Sequence, residues 1–109
     1  MQFVVIGLDG TDDEAPARRQ AVRQDHIAMG DKLLENGNLF YGAALLNDDG
    51  GMKGSMYVMN FSSEKELQDY LATEPYVKGD VWRDVTTHKS NTREPWQYSH
   101  SKEWFEGKQ

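Results

Sequence analysis

Apolar residues recur between positions 12 and 36 at the spacing of one helix face, and a single polar residue breaks the series. Val22, His26, Met29 and Leu33 stand four, three and four residues apart, so they share one stripe of a long amphipathic helix. An imidazole on such a stripe loses water and needs partners for both nitrogens. A buried hydrogen bond, a ligand or a small cavity that admits substrate would each meet that need. A lone histidine on an apolar face is more often a satisfied core residue than a catalyst. Imidazoles nevertheless titrate near neutral pH, which suits them to move protons.

The remaining pattern predicts four strands and a second helix. Gln2 to Leu8 (QFVVIGL) is a short β-rich run with Phe3, Val5 and Gly7 on one face and Val4, Ile6 and Leu8 on the other. Asp9-Gly10-Thr11 turns the chain, Thr11 or Asp12 offers a helix cap, and Pro16 suits an early helical turn near Ala15. Asn36-Gly37-Asn38 supplies the stop. Leu39 to Leu46 is a second strand, in which Gly42 marks a bulge or a close approach by another group. Asn47 to Met52 turns it into a hairpin with the strand Lys53 to Phe61. Ser63-Glu64-Lys65-Glu66 reads as a capping box opening a helix with Leu67, Tyr70 and Leu71 on its apolar face. Pro75 ends that helix, a short connection follows, and Val81 to His88 is the fourth strand.

Strand, helix, strand, strand, helix, strand is the ferredoxin-like βαββαβ order of an α+β domain. It implies a four-stranded antiparallel sheet with two helices on one face. The other face carries too many apolar residues to stay wet, so a second sheet is expected to cover it, most simply in a two-fold homodimer. Residues 1–90 form the domain. Residues 91–109 form an extension whose Trp96, Tyr98, Trp104 and Phe105 are expected to pack on the domain or on the partner subunit.

At 109 residues the chain is one domain large enough for a core. It has no cysteine, which removes thiol nucleophiles, disulfides and thiolate metal sites. A net charge of −6 makes nucleic acid and anionic membranes poor partners. The N-terminal run lacks the basic flank and long apolar stretch of a signal peptide, so a soluble, cytoplasmic protein is expected. Asp9 to Glu14 lacks the ligand order of a calcium loop, and His88 and His100 do not form a metal pair, so no metal or cofactor is expected.

Three short motifs then fall in a meaningful order. Arg23-Gln24-Asp25-His26 lies in the first helix, Gly42 in the second strand, and Glu74-Pro75-Tyr76-Val77 after the second helix. In these the chain resembles the YciI-like (YCII-related) family of the dimeric α+β barrel superfamily, over residues 1 to about 90. The resemblance implies a paired active site of histidine and carboxylate in a pocket between sheet and helices. Its members carry aspartate where this chain has Glu74, which keeps the charge and adds a methylene. The catalytic pair carried over is His26 and Glu74. Beside it Arg23, Gly42 and Tyr76 are read as substrate-binding positions: Arg23 to steer an anionic group, where an exposed partner of Asp12, Glu14 or Asp25 is the commoner role, and Tyr76 as a hydrogen-bond donor, where packing is the commoner role.

In that arrangement the carboxylate fixes the imidazole tautomer while the other nitrogen faces the pocket as general base. The superfamily implies isomerisation, lyase-type elimination or dehydrohalogenation of a small cyclic or aromatic molecule. A second class of function is a non-catalytic dimeric module that holds a small metabolite or serves as an accessory. His26 separates the two: a nitrogen open to a cavity favours the enzyme, and a ring sealed on backbone favours the module.

Overall fold

The computed structural model describes residues 1–93 and 100–108. Its elements run β1 (Gln2–Asp9), α1 (Ala15–Asn36), β2 (Leu39–Leu46), β3 (Met52–Asn60), α2 (Glu64–Thr73), α3 (Pro75–Lys78), β4 (Trp82–Ser90) and α4 (Lys102–Glu106). The strands form one antiparallel sheet in the order β2-β3-β1-β4. This is the α+β ferredoxin-like arrangement expected from the element order. The short connection after the second helix is a helical turn, α3.

Register explains where the core sits. Phe3, Val5 and Gly7 of β1 pair with Met59, Tyr57 and Ser55 of β3. Alternation then sends all six to the same side. There Phe3, Val5, Tyr57 and Met59 join Leu33 from α1 and Leu67 and Leu71 from α2 in one buried cluster. Both long helices therefore cover one face. Gly7 is needed in that layer, because a Cβ there would lie 2.3 Å from the ring of Trp82. On the opposite face Val4, Ile6 and Leu8 stand beside Val58, Met56 and Gly54, with Tyr41, Ala43 and Leu45 of β2 next in line.

Two details of the helix starts differ from the sequence reading. α1 begins at Ala15 with Glu14 as an N-cap that makes no side-chain bond. Two residues earlier the Asp12 carboxylate accepts the Glu14 N–H at 3.3 Å and two hydrogen bonds from Arg18 at 2.8 and 2.6 Å. The capping box of α2 is half formed in the expected way: Ser63 Oγ accepts from the Glu66 N–H. The Glu66 carboxylate reaches back to the N–H of Ser62, one residue beyond its usual partner. α1 stops on Gly37, whose φ of 85° is the left-handed conformation that glycine adopts without strain.

The extension starts on the sheet, where the Thr92 N–H donates to Gln2 Oε1. Farther on, α4 packs on itself: His100 stacks on Trp104 at 3.6 Å, Phe105 meets Trp104 edge-on, and His100 to Lys108 are all exposed. Trp96 and Tyr98 lie outside the described residues. Among the described residues no helix is long and apolar enough to cross a membrane.

Candidate active site

His26 occupies the stripe that its spacing implies, between Val22 and Met29, which pack against the core, and above the buried Leu33. Its ring is bonded at both ends. Nδ1 lies 2.5 Å from Glu74 Oε1, and Nε2 lies 2.9 Å from the Tyr57 hydroxyl. One face of the imidazole stacks on Tyr76, with centroids 3.7 Å apart and planes within 5°. Trp82 stands perpendicular to it at 5.6 Å. What remains open is small, for the side chain is 11% exposed.

The partner carboxylate is set by a helix break. Proline disfavours helix at the residue before it, so α2 ends at Thr73 and Glu74 turns extended, with φ −60° and ψ 123°. From there Glu74 caps α3 by accepting the Tyr76 N–H at 3.2 Å. Its second oxygen accepts the hydroxyl of Tyr70, four residues back on α2, at 2.5 Å. The residue is fully buried. Such burial is tolerable only because these donors replace water.

The proton count follows from this geometry. With the imidazole neutral, a carboxylate that accepts from Tyr70 and Tyr76 takes a third donation from Nδ1–H of His26, which leaves Nε2 as an acceptor. Tyr57 must then donate. Burial, reinforced by the Glu74 charge, pushes the Tyr57 hydroxyl well above the ordinary tyrosine range, so it remains a phenol. Tyr70 is pushed up for the same two reasons, with its hydrogen bond to Glu74 adding to them.

A glycine makes room for Tyr57. The tyrosine pairs across the sheet with Gly42, and a Cβ there would sit 2.6 Å from the ring. The bulge or close approach anticipated at Gly42 is thus the flat face of an aromatic ring lying on bare backbone. On the helix side, Gly30 presents its open position to the Tyr57 hydroxyl, 3.9 Å away.

A cavity of about 280 Å³ opens between α1 and the β2–β3 hairpin. His26, Tyr57, Tyr76, Gly42 and Arg23 line it, with Ile27 and Leu34 at an apolar margin. Arg23 is exposed, and among the described residues no carboxylate pairs with it. Arg19, one turn earlier, is fully committed. It binds Asp9 through two nitrogens at 2.7 and 3.2 Å, and its guanidinium lies 4.8 Å from the Tyr76 ring centre. That grip fixes the ring against which His26 stacks. No group of three or more potential ligands that could hold a metal occurs among the described residues.

His26 and Glu74 are therefore in direct contact, and Arg23, Gly42 and Tyr76 border the same space. Three participants escape the sequence reading. Tyr57 alternates with apolar neighbours and reads as core, Tyr70 reads as part of an apolar helix stripe, and Arg19 is one of several basic residues on α1. The spacings held signals: Tyr70 is four residues from Glu74, and Arg19 is seven from His26, so each shares a helical face or its continuation with a site residue.

Fold and site together define a small ferredoxin-like protein with a carboxylate–imidazole pair beside a cavity. The chain belongs to the YCII-related domain family, whose match spans residues 1–89. Among solved structures it is similar to the 5-chloro-2-hydroxyhydroquinone dehydrochlorinase TftG of Burkholderia phenoliruptrix AC1100, in complex with 2,5-dihydroxybenzoquinone. The two share a TM-score of 0.72 and 20% sequence identity over 84% of this chain and 94% of that one. At that identity the likeness establishes the fold. No curated protein matches the chain.

Proposed function

We propose that this protein is a small cofactor-independent enzyme that moves a proton on a cyclic or aromatic molecule, with His26 as the acid–base group and Glu74 as its charged support. One observation carries the reading: a fully buried carboxylate holds an imidazole whose far nitrogen connects to the wall of a cavity. The carboxylate fixes one tautomer and stabilises the imidazolium formed when a proton arrives. Releasing that proton at another substrate atom gives isomerisation. Departure of an anionic leaving group with its bonding electrons gives elimination. Arg23, on the cavity wall and without an ion-pair partner among the described residues, suits an anionic oxygen on the ring, while the buried Tyr76 backs the imidazole. A homodimer joined through the apolar sheet face belongs to the same reading.

The likeness to TftG supports a first substrate to try. Chloride release from 5-chloro-2-hydroxyhydroquinone is expected with the native protein and lost by about 10²–10⁴-fold in His26→Asn. Arg23→Gln is expected to weaken binding of 2,5-dihydroxybenzoquinone by about two- to fivefold, less at high salt. A binding module is the second reading, favoured by the fact that both imidazole nitrogens are already satisfied. Tight binding without turnover of any such ring compound would select it.

A further inference from the structure

We infer that Tyr57, not His26, is the group that exchanges a proton directly with the substrate, and that the imidazole acts through it. This rests on the acid–base reading of the site. An imidazole has two positions for in-plane hydrogen bonds, one on each nitrogen. Glu74 occupies the first at 2.5 Å and the Tyr57 hydroxyl the second at 2.9 Å. Tyr76 covers one ring face at 3.7 Å. His26 and Tyr57 both line the cavity, but a bound molecule has no direct in-plane approach to a nitrogen and reaches the Tyr57 oxygen first.

The ring that carries the hydroxyl is seated by the sheet. It rests on the bare backbone of Gly42, where a Cβ would come within 2.6 Å. While its hydrogen points to Nε2, the phenol oxygen keeps a lone pair free for a donor in the cavity.

The step balances without a further reactant. An acidic O–H or C–H bond of the substrate breaks, and its proton joins the Tyr57 oxygen. The phenol proton moves to Nε2 of His26, giving an imidazolium against the Glu74 carboxylate. The electron pair stays on the substrate, to form a new double bond or expel a leaving group. Reversal through the same two bonds returns the proton, and Tyr57 ends each transfer as it began. Burial keeps Tyr57 protonated between turnovers.

Tyr57→Phe keeps the ring and deletes the relay, and its melting temperature reports whether the fold survives. With 5-chloro-2-hydroxyhydroquinone, kcat is expected to fall about 10²-fold or more while KM changes little, as for loss of a proton-transfer group. The native enzyme should also show a curved dependence of rate on deuterium content, from two protons in flight. A Tyr57→Phe enzyme with native kcat, beside an inactive His26→Asn, overturns the inference and leaves the acid–base reading intact. Nitrogen NMR of the ¹⁵N-histidine protein decides independently of turnover. The Nε2 resonance is expected to shift between native protein and Tyr57→Phe, and to remain distinct after addition of 2,5-dihydroxybenzoquinone. Identical Nε2 resonances, with or without that compound, overturn it.

Discussion

Glu74 serves two structures at once: the same carboxylate that meets His26 caps α3 and receives Tyr70. Glu74→Gln preserves the shape but turns one acceptor into a donor facing donors. A buried bond to a charged group contributes about 1.5–3 kcal/mol, and a loss in that range is expected from the urea midpoint. The buried hydroxyls make a second prediction. Tyr57 and Tyr70 titrate higher in the folded protein than an ordinary tyrosine, chiefly through burial. The unfolded chain therefore sheds these protons first as pH passes about 10. Their stabilisation is complete below that value and is lost as pH climbs from there towards the folded values. Melting temperatures measured from pH 9 to 11 should drop, and less steeply in the double variant Tyr57→Phe, Tyr70→Phe. At this scale the sequence was uneven. His26 was legible because a polar residue interrupted an apolar stripe, and Glu74 through its motif. Tyr57 was not, because an aromatic residue in a central strand looks the same whether it packs or donates.

Among elements, the site depends on how little of β2 faces the helices. Gly42 and Ala44 leave the space that Tyr57 fills and the cavity extends. Gly42→Ala would force a methyl group into the ring, and overpacking of this kind costs about 1–3 kcal/mol. The expected outcome is a lower urea midpoint together with a moved Tyr57 hydroxyl, read from the same Nε2 resonance. The elements and the helix placement were legible from β-rich apolar runs and spaced helical stripes separated by turn clusters, although the strands carry apolar residues on both faces. The start of α1 was less so. Asp12 had the chemistry of a cap, but the helix starts after Glu14, and Asp12 instead bonds the Glu14 N–H and Arg18 in the turn before it.

Among the described residues no helix covers the sheet face of Val4, Ile6 and Leu8, next to Met56 and Val58. Leu8 is exposed there, Val4, Ile6 and Met56 are half-buried, and Val58 is buried. Apolar rows of this kind are normally matched by another sheet. Light scattering is expected to give a dimer at micromolar concentration, and Ile6→Asp to give a monomer that still melts cooperatively. A monomeric native protein would remove the homodimer from the proposed function without touching the pair at His26. The cavity opens on the other side of the sheet, between α1 and the hairpin, so the two surfaces do not compete.

Trp82 stands edge-on to His26, Tyr57 and Tyr76, at 5.6, 5.9 and 5.7 Å. An indole in that position is a built-in optical gauge of the site, since its emission responds to any charge or quencher appearing a few ångströms away. Two further tryptophans, Trp96 and Trp104, lie in the extension. Replacing both with phenylalanine would leave one fluorophore, at the chemistry. Occupancy of the cavity by an unmodified ring compound should then be readable as a change in brightness, independently of turnover.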